Sequence, residues 1–278
     1  MLRIIVDTAS DITREEAERL NLVLIPLTIM FGEEYCPCET EEDRERFFQK
    51  LFQAKELPST SQPSPSLYLE AYKEAEACGD EVLVLTLSEG LSGTYQSACI
   101  ARTMTEYQPI TVVNTGNVIT GERMIIDMAL KMREQGRSRE EIAARVEAVR
   151  DRVVLCGAVD SLEYLKKGGR IPAPLAMVGA SLKLKPALCI RNGVIEQLAK
   201  SRGMKQAASR LYDEYEAEEL DPEFPVYFGY VYDQKPAIEF MEETVQRYGL
   251  KDVKMFPVGP TIAVHTGPGC IIMVFVRK

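Results

Sequence analysis

A hydroxyl- and glycine-rich turn between an apolar strand and a helix is the segment of this sequence best suited to chemistry. Residues 82–87 are typical of a buried strand, and Thr94 begins a predicted helix. The first backbone N–H groups of a helix have no partners within the helix and carry partial positive charge. The hydroxyls of Ser92 and Thr94 and the amides of Gly93 and Thr94 could therefore bind a carboxylate or a phosphate. Ordinary capping of the helix by Ser92 explains the same pattern.

The single histidine, His265, is the second candidate. It follows the apolar run 261–264 and precedes Thr266-Gly267-Pro268-Gly269. We expect the run to be a strand with His265 at its end, where glycines let the backbone approach a ligand closely. Ser92, His265 and an aspartate could form a hydrolase triad, because triads are defined by geometry rather than by sequence spacing.

Several enzyme signatures are missing from the sequence. No G-x-G-x-x-G follows the first strand, where Asp7 and Asp11 would repel a pyrophosphate, and no P-loop pattern occurs. The segment Gly90-Leu91-Ser92-Gly93-Thr94 has a threonine where a nucleophile elbow needs glycine. These absences argue against a nucleotide site and against a nucleophile elbow, while the Ser92–His265 triad stays open.

Composition limits the class of protein. The chain has 278 residues, of which 46% are hydrophobic, enough for a core without disulfides or metal. A formal net charge of −9 argues against nucleic acid as a partner. The seven cysteines are scattered and odd in number, so we expect reduced thiols and no metal site. Apolar runs are only strand-length, which predicts a cytoplasmic protein without a transmembrane segment or signal peptide.

The two halves of the chain differ in pattern. Residues 1–152 alternate short apolar strands with amphipathic helices, which predicts an α/β domain on a parallel sheet. In residues 153–278, Asn192-Gly193 separates two apolar runs, a strong hairpin signal. We expect an α+β domain with a mainly antiparallel sheet there, and a ligand between the two domains.

Basic residues cluster against this acidic background in Lys166-Lys167-Gly168-Gly169-Arg170 and Lys183-Leu184-Lys185. Cations favour the carboxyl ends of helices, so a solvated helix end is the simpler interpretation. A contact with a partner or a phosphate is the alternative.

Six segments, in this order, resemble a known family. They are Val6-Asp7-Thr8-Ala9-Ser10-Asp11, Thr60-Ser61-Gln62-Pro63-Ser64, Gly90-Leu91-Ser92-Gly93-Thr94-Tyr95-Gln96-Ser97-Ala98, Leu162-Glu163-Tyr164-Leu165-Lys166-Lys167-Gly168-Gly169-Arg170-Ile171, Lys185-Pro186 before Asn192-Gly193, and His265-Thr266-Gly267-Pro268-Gly269. Together they resemble the DegV family of bacterial fatty-acid-binding proteins, which includes the acyl-binding subunits of fatty acid kinase. The resemblance implies a two-domain DegV-like fold that encloses one long-chain fatty acid.

The same resemblance implies roles for individual residues. Hydroxyls matching Thr60 and Ser92 would bind the carboxylate, with His265 nearby, and the remaining ligand-binding candidates are Ser61, Gly93, Thr94, Thr266 and Gly267. Arg170, with Lys167, would lie on the side presented to the ATP-binding kinase subunit. No cofactor, metal or catalytic residue of the chain's own is implied, and the acyl phosphate formed by the kinase would enter phospholipid metabolism.

Physical chemistry agrees with this resemblance. Hydroxyl and amide donors suit a buried carboxylate better than a full buried cation, which is costly to desolvate before the ligand arrives. Since the chain shows no nucleotide-binding element, kinase activity must come from a second protein. A Ser/His hydrolase of acyl esters and a binding module for another lipid-like molecule remain the alternatives.

Three departures from the family pattern stand out. They are Glu89 in place of a small hydroxyl residue, Lys183 in place of an uncharged polar residue, and the segment 114–123. Because a carboxylate facing the cleft would repel an anion, we expect Glu89 to point to solvent.

Overall fold

The computed structural model describes residues 1–171 and 184–278, so the departure at Lys183 lies outside the described residues. The strands are β1 (Leu2–Asp7), β2 (Leu22–Ile25), β3 (Thr28–Phe31), β4 (Glu34–Cys36), β5 (Ser59–Ser61), β6 (Glu81–Thr86), β7 (Ile110–Asn114), β8 (Val153–Ala158), β9 (Leu184–Arg191), β10 (Val194–Arg202), β11 (Val226–Tyr230), β12 (Val253–Pro257) and β13 (Ile271–Val276). The helices are α1 (Arg14–Arg19), α2 (Glu41–Gln53), α3 (Pro65–Cys78), α4 (Thr94–Thr103), α5 (Ile119–Glu134), α6 (Arg139–Arg150), α7 (Glu163–Lys167), α8 (Met204–Ser209), α9 (Leu211–Tyr215), α10 (Lys235–Tyr248) and α11 (Pro260–Thr266), and a 3-10 turn covers Thr8–Ser10.

A four-stranded parallel sheet organises the first half, in the order β2-β1-β6-β7. Its central strands are runs of isoleucine, valine and leucine with almost no exposed surface, as expected for a parallel sheet covered on both faces. Because the strands are parallel, the turn after β1 and the turn after β6 emerge at the same edge. The α/β character predicted for this half is confirmed.

A small antiparallel sheet, β4-β3-β5, carries Thr60 on its short strand β5. The sequence suggests one extended stretch over residues 23–30, but the chain divides there into β2 and β3, which belong to different sheets. Pro26 lies between them, and a proline has no N–H with which to continue a sheet ladder.

The second half forms a six-stranded sheet in the order β10-β9-β8-β13-β11-β12. Every neighbouring pair is antiparallel except β11 and β12, so the predicted mainly antiparallel sheet is confirmed. The β9–β10 hairpin turns at Asn192 and Gly193, which have φ of 51° and 76°, as a two-residue type I′ turn requires. The division of the chain after residue 152 stays a prediction.

The expectation of a strand before His265 is wrong. Residues 260–266 form α11, with Gly259 as its N-cap and Pro260 as its first residue. Proline at this position is already in the backbone conformation of a helix, and Gly267 ends the helix with φ of 68°. A short apolar run carries too little periodicity to distinguish a strand from a helix.

One continuous apolar cluster joins the two larger sheets. It includes Ile4 and Leu83 from the first sheet and Leu155 and Ile272 from the second. The buried start of α5 packs between them, with contacts to β8, β11 and β13. The space between the two sheets is therefore the place where an apolar cavity can form.

Candidate functional site

A cavity of about 860 Å³, part of it open to solvent, lies between the two larger sheets. Its apolar lining consists of Leu27, Leu87, Leu91, Val118, Ile119, Leu155, Gly157, Val159, Leu165, Leu188, Cys189, Ile190, Ile195, Ile262, Cys270 and Ile272. Its polar lining consists of Thr60, Ser61, Gln62, Ser92, Arg170, Thr261, His265 and Thr266.

One face of the six-stranded sheet supplies much of the apolar wall. The strand register sets Leu188, Gly157 and Ile272 side by side across β9, β8 and β13. Side chains alternate between the two faces of a strand, so Leu155 and Ile190, two residues along, face the cavity as well. The wall offers hydrocarbon rather than hydrogen-bonding partners.

Thr60 and His265 meet at the polar part of the cavity. The Oγ1 of Thr60 lies 2.8 Å from Nε2 of His265, a hydrogen bond between β5 and α11. His265 is only 9% exposed. Burial, and then the positive charge of Arg170, lower the pKa of this imidazole from 6.5 to about 4. The ring is therefore neutral at neutral pH, with one nitrogen that donates a hydrogen bond and one that accepts.

Gly168 explains how the imidazole fits against the end of α7. A Cβ at residue 168 would lie 2.2 Å from Nδ1 of His265, so a glycine is needed for this contact. Sequence reasoning missed Gly168, although it stands within the Lys166–Arg170 basic segment. Nδ1 of His265 has no hydrogen-bond partner among the described residues.

Ser92 does not cap α4. Gly93 is the N-cap, without a side-chain capping bond, and the Ser92 hydroxyl lies 2.9 Å from that of Thr94. Ser92 is half-buried and lines the cavity, whereas Thr94 is fully buried. The interpretation of Ser92 as an ordinary helix cap is therefore wrong.

Gln62 joins the segment after β5 to the start of α4. Its Nε2 donates to the Ser97 hydroxyl at 2.9 Å. A Cβ on Gly93 would lie 1.9 Å from its Oε1, so glycine at residue 93 makes room for the amide. Gln62 also lines the cavity, and its place within Thr60-Ser61-Gln62-Pro63-Ser64 is the signal that could have marked it as a site residue.

Arg170 also lies at the cavity, half-buried. Its Nε donates to the Leu91 carbonyl at 3.1 Å and its Nη1 to the Gly168 carbonyl at 2.7 Å. The guanidinium thus bridges the turn before α4 and the end of α7. Lys167 is exposed, 3.5 Å from a carboxylate oxygen of Glu163, and does not line the cavity.

Most of the predicted binding residues come together. Thr60, Ser61, Ser92, His265, Thr266 and Arg170 line the same cavity, whereas Gly93, Thr94 and Gly267 lie outside its lining. A Cβ on Gly267 would lie 2.4 Å from the Tyr164 ring, so this glycine permits a close helix contact. Glu89 is exposed and bonded to Asn114, which confirms that it points away from the cavity.

A hydrolase triad does not form among the described residues. The partner of His265 Nε2 is Thr60 rather than Ser92, and no carboxylate orients Nδ1. Within residues 1–171 and 184–278, no group of three His, Cys, Asp or Glu side chains could hold a metal ion. No described helix is both long enough and apolar enough to span a membrane.

Comparison with known proteins identifies the family. A family model described as "Uncharacterised protein, DegV family" matches residues 1–278. The DegV domain-containing protein YteA of Lactococcus lactis is 32% identical over a 284-residue alignment that covers 99% of this chain and 98% of YteA. A DegV family protein from Thermus thermophilus, whose structure is described as showing fatty acid binding, is 29% identical, with a TM-score of 0.87 and 99% of both chains covered. The Streptococcus pneumoniae Fatty Acid Kinase (Fak) B3 protein, solved with linoleic acid, is 20% identical over 100% of both chains, with a TM-score of 0.86, and shows the shared fold. The chain belongs to the DegV family.

Proposed function

We propose that this protein binds one long-chain fatty acid, with the acyl chain in the apolar part of the cavity and the carboxylate at Thr60, Ser92 and His265. The observation that carries the proposal is a single cavity with a hydrocarbon wall and a small group of hydroxyls and a neutral imidazole. Fatty acid binding by the Thermus thermophilus relative supports the same ligand class.

The polar residues form a group, which supports a single position for the carboxylate. Gln62, two residues after Thr60, lies against Gly93, which follows Ser92. Arg170 is bonded to the Leu91 carbonyl and acts electrostatically on His265. These links bring the hydroxyl of β5, the turn before α4 and the end of α11 to one side of the cavity.

The energetics favour a long chain. Burying a methylene contributes about 0.8 kcal/mol, so about fifteen methylenes contribute roughly 12 kcal/mol before the entropic costs of binding are subtracted. The carboxylate needs hydrogen-bond donors once it leaves water, and hydroxyls supply them without the cost of a bare buried cation.

Extraction of the freshly purified protein under denaturing conditions, followed by lipid mass spectrometry, tests this proposal. Native mass spectrometry gives the stoichiometry. We expect one fatty acid per chain. A protein that is empty and also fails to take up added fatty acids would overturn the proposal, and a different bound lipid would redirect it to that ligand.

We further propose that the bound fatty acid is presented to a separate kinase subunit for acyl-phosphate formation. The absence of nucleotide-binding motifs from the sequence supports a second protein as the source of ATP chemistry. Exposed Lys167 lies three residues from cavity-lining Arg170, so a partner that contacts this basic segment would sit beside the cavity.

The kinase proposal is tested with a fatty acid kinase ATP-binding subunit and the variant Lys167→Ala. We expect unchanged fatty acid affinity and slower acyl-phosphate formation. Lys205→Ala is the matched control, because α8 packs on the opposite face of the six-stranded sheet and Lys205 is exposed there. Equal rates for wild type and Lys167→Ala would remove Lys167 from the docking surface.

A further inference from the structure

The turn over residues 7–11 is anchored to the end of β6. Oδ1 of Asp7 accepts from the Ala9 amide and Oδ2 from the Leu87 amide, both at 2.9 Å. The Ser10 hydroxyl donates to the Asp7 carbonyl at 2.6 Å. Asp7 and Ser10 have no exposed surface. The turn is therefore a fixed part of the parallel sheet's carboxyl edge, from which the Ser92 turn also emerges.

The other end of this turn contacts α11, some 250 residues further along the chain. Oδ1 of Asp11 accepts from the Gly259 amide at 2.8 Å. The Thr261 hydroxyl donates to the Thr8 hydroxyl at 3.1 Å, and the same Thr8 oxygen accepts from the Leu27 amide at 3.0 Å. Asp11 has a left-handed backbone conformation, with φ of 62°, which the two anchored ends of the turn hold in place.

These two contacts fix α11 in position and in rotation. Gly259 is the N-cap, so its bond to Asp11 sets where the helix begins. Thr261 precedes His265 by four residues, and residues at this spacing lie on the same face of a helix. Both side chains line the cavity. A shift or rotation of this seven-residue helix would therefore change the 2.8 Å distance between Thr60 and His265.

We propose that Asp11, together with Thr8, is a positioning residue of the carboxylate site, acting through α11 to hold His265 against Thr60. The inference rests on the proposed fatty acid binding and adds residues that need not contact the ligand. It also gives a role to the Val6–Asp11 segment, which is part of the family pattern but does not itself line the cavity.

The chemistry of the Asp11 carboxyl indicates which substitution should preserve the role. Burial raises its pKa from 3.8 to about 7, while the Gly259 hydrogen bond opposes the rise. Its Oδ2 is buried and has no partner among the described residues. One oxygen accepts from Gly259, and the other can carry a proton without loss of that bond. An asparagine keeps the acceptor, whereas an alanine removes it.

The test compares Asp11→Ala with Asp11→Asn by two measurements. The first is fatty acid affinity. The second is the pKa of His265 by NMR, which is readily assigned because the chain has one histidine. For Asp11→Ala we expect about tenfold weaker fatty acid binding, the effect of losing the hydrogen bond between His265 and the ligand carboxylate. We also expect the His265 pKa to rise toward 6.5, because burial is what lowers it. For Asp11→Asn we expect both values to remain near those of wild type.

Asp80→Ala is the control for general destabilisation. Asp80 is also a buried carboxylate with two partners, Met1 and Arg3, but it precedes β6 and so lies at the opposite edge of the sheet. Its loss should lower stability without moving the His265 pKa. If Asp11→Ala does not fold, Thr261→Val replaces it in the test, because it removes the hydrogen bond to Thr8 instead. A raised His265 pKa in Thr261→Val supports the positioning role, and an unchanged pKa overturns it.

The outcomes separate this inference from the proposed function. If wild type binds fatty acid but Asp11→Ala keeps wild-type affinity and His265 pKa, the positioning role is overturned and fatty acid binding stands. If wild type binds no fatty acid, the proposed function fails. A raised His265 pKa in Asp11→Ala would then still support the structural link between Asp11 and His265.

Discussion

His265 and Arg170 have different roles in the polar part of the cavity: His265 is a neutral hydrogen-bonding group, and Arg170 supplies a positive charge. The guanidinium is committed to the carbonyls of Leu91 and Gly168, and its charge helps to keep the imidazole neutral. A ligand carboxylate would therefore meet neutral donors at hydrogen-bond distance, with a positive charge behind them. Such an arrangement would suit an anion, because the guanidinium keeps hydrogen-bond partners of its own when no ligand is bound.

Among the side-chain groups of the site, the Thr60 hydroxyl is the one whose removal should weaken fatty acid binding most. Thr60→Val keeps the shape of the side chain but removes both the bond to His265 and one of the donors proposed for the ligand carboxylate. We expect fatty acid affinity to fall about 10- to 100-fold, as for a hydrogen bond to a charged group, and Thr60→Ser to restore it. Affinity is measured by titration with a fluorescent fatty acid.

Ser64→Ala is the matched control for Thr60→Val, because Ser64 belongs to the same segment but is exposed, and its hydroxyl is bonded only to that of Ser66 among the described residues. The double variant Thr60→Val with Ser92→Ala should retain no fatty acid through purification. Full retention in the double variant would show that the carboxylate binds elsewhere.

At the scale of helices and strands, sequence predicts local structure far better than contacts between distant segments. The β6 strand, the glycine turn and α4 are contiguous, and apolar runs together with N-terminal helix signals were enough to predict them. The helix that carries His265 was missed although Pro260 after Gly259 is a helix-start signal, because the following apolar run suggested a strand.

Contacts between distant segments explain the remaining differences. The bond from Gly259 to Asp11 joins residues 248 positions apart, and that from His265 to Thr60 joins residues 205 positions apart. No local pattern encodes such pairs. Thr60, Ser92 and His265 were named from the family resemblance and from residue chemistry, whereas Gln62 and Gly168 were missed because their importance lies in what they pack against.

The end of α7 offers a test at this scale. Gly168 has φ of −73°, a conformation that alanine adopts readily, so Gly168→Ala should not strain the backbone. Its Cβ would instead displace His265, whose Nδ1 would lie 2.2 Å away. We expect about tenfold weaker fatty acid binding, equivalent to about 1.4 kcal/mol, with the thermal midpoint of the ligand-free protein little changed.

Alanine at the preceding residue, Lys167, is the control, since that exposed side chain does not touch the cavity. A wild-type affinity for Gly168→Ala would mean that the imidazole can shift without consequence for the ligand, and His265 would then not contact the carboxylate.

On the scale of the whole molecule, the cavity depends on how the two larger sheets are held together. The Ser88 hydroxyl donates to the carbonyl of Gly193 at 2.6 Å, joining the turn after β6 to the tip of the β9–β10 hairpin. Elsewhere, Tyr227 donates to Asp127 of α5 at 2.6 Å. Because a ligand in the cavity would contact both sheets, binding should stabilise the entire fold, and at high ligand concentration the gain should grow with the logarithm of that concentration.

The fold also carries buried carboxyls whose protonation should govern its stability. Burial raises the pKa of both Asp7 and Asp11 from 3.8 to about 7, and raises that of Glu122 well above its usual value. In the unfolded chain these groups lose their protons near pH 4. From about pH 4 to pH 7 the folded state therefore binds more protons than the unfolded chain, so stability falls as pH rises over this range and levels off once pH has passed the folded pKa of about 7.

We expect the urea midpoint to decrease between pH 6.5 and pH 8. For Asp7, which has no exposed surface, a pKa rise of about three units corresponds to roughly 4 kcal/mol between about pH 4 and pH 8, of which only the last part falls above pH 6.5. His265, with its lowered pKa, has the opposite effect, but only below about pH 6.5. Cysteine thiols of the unfolded chain begin to ionise above pH 8, which sets the upper limit of the pH range.

Asp11→Asn, which cannot ionise, should show a shallower decrease of the urea midpoint. A wild-type midpoint that is constant or rises between pH 6.5 and pH 8 would contradict the burial of these carboxyls.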